Sequence, residues 1–100
     1  MLSDFQLLKG MIIISYDIED DRLRNHFNKM ITKNGAVRLQ YSVYEVNNTN
    51  RIIENLKIKI ESFYSKKFGG GDSVVIFEVG ENKIVKYGNA IHRDTDVIFL

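Results

Sequence analysis

Residues 11–18, MIIISYDI, form a nearly continuous apolar, β-branched run, which predicts a strand buried on both faces. Asp20 and Asp21 follow as helix-start residues. Between 21 and 34 the apolar positions are Leu23, Phe27, Met30 and Ile31, one face of an amphipathic helix. Asn34-Gly35 ends it with left-handed cap chemistry. From Ala36 to Val46 the pattern alternates: Val37, Leu39, Tyr41 and Val43 point one way, Arg38, Gln40, Ser42 and Tyr44 the other. That stretch is long for one strand, so a bend or tight connection is expected near Gln40–Ser42, with no glycine to mark it.

Asn47-Asn48-Thr49 predict the start of a second helix running to about Lys67, with Ile53, Leu56, Ile60 and Phe63 as its inner stripe. Gly69 to Asp72 reads as a loop and SVVIFEV at 73–79 as another buried strand. A turn at 80–83 leads to a short expected strand, Ile84–Tyr87, and the chain ends on the apolar residues Val97 to Leu100. The order β-α-ββ-α-β predicts an α+β, ferredoxin-like sandwich with two helices on one face of an antiparallel sheet. An apolar strand beyond the core must cover something, and a second subunit's sheet edge is one use for it. Three segments follow: 1–10 as a native extension or cloning remnant, 11–80 as the core, and 81–100 as a C-terminal strand extension contacting the dimer mate or another partner.

At 100 residues the chain holds one domain. It contains no Cys, which excludes disulfides, thiolate metal sites and cysteine nucleophiles and permits the cytosol. The longest apolar stretch falls far short of the roughly 18 residues a membrane span needs, and residues 1–10 lack the features of a secretory leader. A formal net charge of +1 argues at first against a nucleic-acid partner. Its distribution reverses that reading. Residues 1–21 carry one base and five acids, residues 22–67 ten bases and three acids, and residues 68–100 three bases and five acids. The basic excess lies on both helices and the strands between them, which suits a phosphate backbone. Arg22, Arg24, Lys29, Lys33 and Arg38 are the candidate phosphate contacts.

Asp17 closes the first strand just ahead of Glu19-Asp20-Asp21. A carboxylate there suits a hard cation such as Mg²⁺, although one carboxylate makes a poor site and a two-fold copy would improve it. The neighbouring acids equally serve as helix N-terminal charge. Arg22 occupies the glycine position of a Ca²⁺ loop, Gly69–Gly71 lacks the Lys-Ser/Thr of a phosphate loop, and His26 and His92 lack ligand-spaced partners. His26 reads as a surface residue, and Ser42 has no histidine within sequence reach. The sheet aromatics Tyr41 and Tyr44 lack the glycine-containing signature of an RNA-recognition module.

SYDI at 15–18, the Arg22/Arg24 helix start, Asn34-Gly35 and LQYSVYE at 39–45 lie in register together. From Met11 to about Val79 the chain resembles the CRISPR-associated Cas-two family, the small dimeric nuclease-like subunit of the spacer-acquisition complex. The resemblance implies a cytoplasmic homodimer with C-terminal strands exchanged onto the partner's sheet. It also implies a Mg²⁺-dependent phosphodiesterase centre at Asp17, one from each subunit. Tyr16, Arg24, Arg38 and Tyr44 match positions near that centre, and His26 falls where some members carry Arg. A second implied role needs no cleavage: the dimer bridges integrase subunits and carries duplex DNA, or single-stranded RNA, on its basic helices. The segment 84–100 is the expected integrase contact. A toxin-type endoribonuclease of the same fold and a small-molecule regulatory domain of the same topology are the alternatives.

Overall fold

The computed structural model describes residues 8–80 and 83–90. Strand β1 (Lys9–Asp17) leads into helix α1 (Asp21–Lys33). Strands β2 (Ala36–Gln40) and β3 (Val43–Thr49) form a hairpin, followed by helix α2 (Asn50–Lys59) and strand β4 (Ser73–Val79). The sheet order is β2-β3-β1-β4, with antiparallel pairing throughout. This is the ferredoxin-like arrangement that the element order predicts.

The helix-facing residues of β1 are Ile12, Ile14 and Tyr16, and all are buried. Phe27 and Ile31 from α1 and Ile53 and Leu56 from α2 close over them. Burying side chains of this size contributes about 1.5–3 kcal/mol each relative to exposure. The opposite face of β1 departs from expectation: Met11, Ile13 and Ser15 are only half-buried, because no second layer of helix or sheet covers them among the described residues. Next to them on β4, Val75 and Phe77 remain 48% and 53% exposed.

Local chemistry sets the boundaries. Asp20 caps α1, its side chain accepting from Leu23 N at 2.8 Å. Gly35 follows at φ 97°, a left-handed conformation that costs glycine little. The expected bend falls at Tyr41-Ser42, where Ser42 itself adopts φ 63°. A non-glycine residue there costs on the order of 1 kcal/mol, partly offset as Ser42 O accepts from Tyr16 N at 3.1 Å. β1 begins ahead of Met11, with Lys9 and Gly10 opposite Thr49 and Asn48.

Three expectations are corrected. The ladder with β1 keeps residues 47–49 in β3, so α2 starts at Asn50 with Thr49 as its cap. Beyond Lys59 the helix widens into a π turn, Ile60–Tyr64, then tightens over Ser65–Lys67. That wider turn takes up an extra residue, so Tyr64 rather than Phe63 continues the inner stripe. Ser62 and Ser65 donate their hydroxyls to the carbonyls of Ile58 and Glu61, bonds that favour distortion of a helix end. Finally, residues 84–87 form no strand. Lys86 instead pairs by its side chain with the buried carboxylate of Glu45 on the open sheet face. Residues 91–100, including the apolar end, lie outside the described residues.

Phe27 touches Tyr16 and Tyr64 edge-on and is fully buried. Phe27→Ala is expected to cost about 3–5 kcal/mol of unfolding free energy, measured by urea denaturation. A loss below about 1 kcal/mol would show that the core collapses around the site.

Candidate functional site

The end of β1 places Tyr16 and Asp17 on opposite sides of the sheet. Tyr16 points inward beneath α1, its ring stacked on Tyr44 of β3 at 6.0 Å. Two buried phenols need partners for their hydroxyls. Asn28 of α1 supplies them: its side-chain amide donates to the Tyr16 hydroxyl at 3.1 Å and also to that of Tyr44. Burial, reinforced by the neighbouring Tyr44, pushes the Tyr16 phenol above its usual value despite the Asn28 bond. The phenol therefore stays protonated at neutral pH and serves as a hydrogen-bonding group, not as a base.

A cleft of about 140 Å³ opens here, lined by Tyr16, Arg24, Asn28, Arg38, Tyr41 and Tyr44 among others. Arg38 is exposed at the sheet edge, with its guanidinium 5.8 Å from the Tyr41 ring centroid. Among the described residues it makes no ion pair, leaving its donors available. Arg24 is more committed. It donates to the carbonyls of Ile18 and Glu19 at 3.0 and 3.3 Å and pairs with Asp21, which raises its pKa further. Arg24 thus holds the β1–α1 loop in shape while facing the cleft. The fold brings Tyr16, Tyr44, Arg24 and Arg38 to one cleft, but Asp17, around which they were expected to gather, turns to the opposite sheet face and does not line it. Asn28, which joins the two phenols, was not anticipated.

The carboxylate of Asp17 is exposed and stands opposite Ser73 of β4. The loop after it is pinned by Asp72, whose carboxylate accepts from Glu19 N at 2.9 Å and Gly69 N at 2.8 Å. Those two bonds hold the Asp72 carboxyl below the ordinary carboxylate range. Among the described residues no group of three His, Cys, Asp or Glu side chains stands where it could hold a metal. Mg²⁺ held at Asp17 would therefore take the rest of its oxygens from water, phosphate or a second chain.

The five candidate phosphate contacts do not form one surface. On α1, Arg24 and Asn28 flank the tyrosine cleft, whereas His26, Lys29 and Lys33 line a groove against the α2 side. Arg22 is exposed on the first turn. His26 is not a bare surface residue: its Nδ1 lies 2.8 Å from the Tyr64 hydroxyl, which the extra residue of the π turn brings inward.

A model of the family described as CRISPR associated protein Cas2 matches residues 10–87. The chain belongs to that family. No curated protein matches it. Among solved structures it is similar to a hypothetical protein, TT1823, from Thermus thermophilus. The two share 25% identity and a TM-score of 0.62, over 80% of this chain and 93% of that one. A structure titled as that of cas2 shares the fold at TM-score 0.66 and 17% identity, covering 92% of this chain and 97% of that one. Among the described residues no helix is long and apolar enough to cross a membrane.

The shared amide of Asn28 gives the Cas2 family cleft a measurable signature. Asn28→Ala leaves two buried hydroxyls without their donor and is expected to cost about 1–3 kcal/mol. Adding Tyr16→Phe and Tyr44→Phe should recover part of that loss in a double-mutant cycle read by denaturant melts. Strict additivity would mean that the amide does not join the two phenols.

Proposed function

We propose that this chain is a homodimeric nucleic-acid-binding subunit of CRISPR spacer acquisition, carrying duplex DNA and bridging integrase subunits. The observation that carries this reading is the exposed Arg38, unpaired among the described residues and sharing a cleft with Arg24 at the α1–β2 edge, with Arg22 exposed on the first turn of α1, within a segment of ten bases and three acids. Guanidinium groups free of carboxylate partners can release counterions from a phosphate backbone. Dimerisation is supported by the open sheet face, where Val75 and Phe77 are exposed with no opposing layer among the described residues. An isologous pairing of that face would double the basic edges on one particle.

Metal-dependent cleavage of RNA or DNA is the second reading, favoured by the exposed Asp17 carboxylate at the end of β1, although it turns to the sheet face opposite the Arg24–Arg38 cleft. A second copy of Asp17 would strengthen such a site, since among the described residues no group of three His, Cys, Asp or Glu side chains stands together. Arg24 and Arg38 would neutralise backbone phosphate charge at the cleft on the other face, which Tyr16 and Tyr44 line with hydroxyls held by Asn28. Binding and bridging need no such assembly, which is why they come first. The toxin-type alternative rests on the same carboxylate and has no separate observation in its favour.

Duplex affinity should fall steeply with salt. Arg22→Ala and Arg38→Ala are each expected to flatten the slope of log K against log salt by about 0.9 per lost phosphate contact. Unchanged slopes in fluorescence anisotropy titrations would remove the platform reading. Cleavage is checked separately: with Mg²⁺, any nicking of RNA or DNA should vanish in Asp17→Asn while duplex affinity is retained. A variant that still cuts as well as the native chain would place the centre elsewhere.

A further inference from the structure

The second flank of α1 forms a site of its own. A groove of about 490 Å³ lies between α1 and the π turn, within the size range of small-ligand sites. Its rim carries Lys29, Lys33 and Lys59, and none of these pairs with a carboxylate among the described residues. Its wall is Phe63, a ring left 44% exposed because the π turn gives the inward position to Tyr64. His26 tilts against Phe63 at 6.2 Å, and Tyr64 meets it edge-on at 4.9 Å, so the ring is held from two sides. The hydrogen bond between His26 and Tyr64 fixes both neighbours.

A fixed, exposed aromatic among unpaired lysines fits a ligand with a flat ring and a phosphate. We propose that this groove takes one unstacked nucleotide of a single nucleic-acid strand, its base on Phe63 and its phosphate on the lysine rim. A duplex cannot use the ring, since its bases are stacked inside; a splayed base can. The Lys67 ammonium lies 4.9 Å from the Phe63 centroid. An exposed cation–π contact of this kind is weaker than a base–aromatic stack, so a base displaces it and leaves Lys67 as a further phosphate partner. This site rests on the nucleic-acid reading above, but it is separate from the Arg24–Arg38 cleft in residues and in the strand form it takes.

The test compares a fluorescent oligothymidylate with a blunt duplex of equal length, by anisotropy at fixed salt. Phe63→Leu keeps apolar volume at a partly exposed position and is expected to weaken oligothymidylate binding about tenfold, as loss of one stack does. Blunt-duplex binding should stay within about twofold. Lys59→Ala should flatten the salt dependence of single-strand binding alone. Thymidine monophosphate should compete for the groove, and thymidine should not. Thermal melts confirm that each variant is folded. Equal oligothymidylate affinity in Phe63→Leu and the native chain overturns the proposal, as does an equal loss on the duplex. A native chain that binds duplex but not oligothymidylate removes this groove and leaves the platform; the reverse leaves the groove and removes the platform.

Discussion

The structure depends on the burial of one side of β1. That strand is hydrogen-bonded on both edges, to β3 and to β4, so its backbone polar groups are satisfied without water. With the ladder in place, Ile12, Ile14 and Tyr16 must face the helices, and the alternation of a strand then sends Ile13, Ser15 and Asp17 to the other side. Asp17 is exposed for that reason, and Tyr16 is buried for the same reason. A one-residue slip would exchange them, burying a carboxylate without a partner. The register that builds the core therefore also decides which chemistry is presented at the strand's end.

From β1 an aromatic chain crosses the core. Tyr44 stacks on Tyr16, Tyr16 meets Phe27 at 4.9 Å, and Phe27 meets Tyr64 at 5.2 Å. Tyr64 in turn holds His26 and Phe63 at the far groove. Aromatic pairs in edge-on or offset geometry add about 0.5–1.5 kcal/mol each beyond the area they bury. Here they also space the two flanks of α1. The cleft at Arg24 and Arg38 and the groove at Lys29 and Lys33 stand on opposite sides of one helix, separated by the buried Phe27.

The fold was largely legible because apolar periodicity reports burial, and burial is what holds these elements together. Asp20, Asn34-Gly35 and the bend near Gln40–Ser42 were readable from cap and turn chemistry. The second helix was misread at its start and in its inner stripe, for physical reasons, while its turns do run to Lys67. Asn47, Asn48 and Thr49 all suit a cap, and only pairing with Lys9, Gly10 and Met11 keeps them in a strand. Phe63 and Tyr64 both fit a 3.6-residue period counted from Ile60, and the π turn decides between them. Asn28 was not anticipated because a polar residue on an amphipathic helix reads as solvated. The available signal lay elsewhere, in two inward tyrosines on neighbouring strands whose hydroxyls needed a donor.

Charge was the least legible quantity in total and the most informative in position. A net +1 describes neither end of the molecule. The acids at Asp20, Asp21 and Asp72 are absorbed by the fold: Asp20 caps α1, Asp21 pairs with Arg24, and Asp72 binds two backbone amides. Among the described residues the charges left without an ion pair are mostly bases, including Arg22, Lys29 and Lys33 on α1, Arg51 and Lys59 on α2 and Arg38 on β2. Folding spends carboxylates on local geometry, where short side chains reach backbone N–H groups, and leaves long cationic side chains in solvent. A chain that is nearly neutral by composition thus presents a basic surface, and it does so in two places because α1 has two exposed flanks. A site that reads duplex phosphates requires only the charge. The flank that also keeps an exposed ring, Phe63, carries information about the base, and that difference separates the two surfaces chemically.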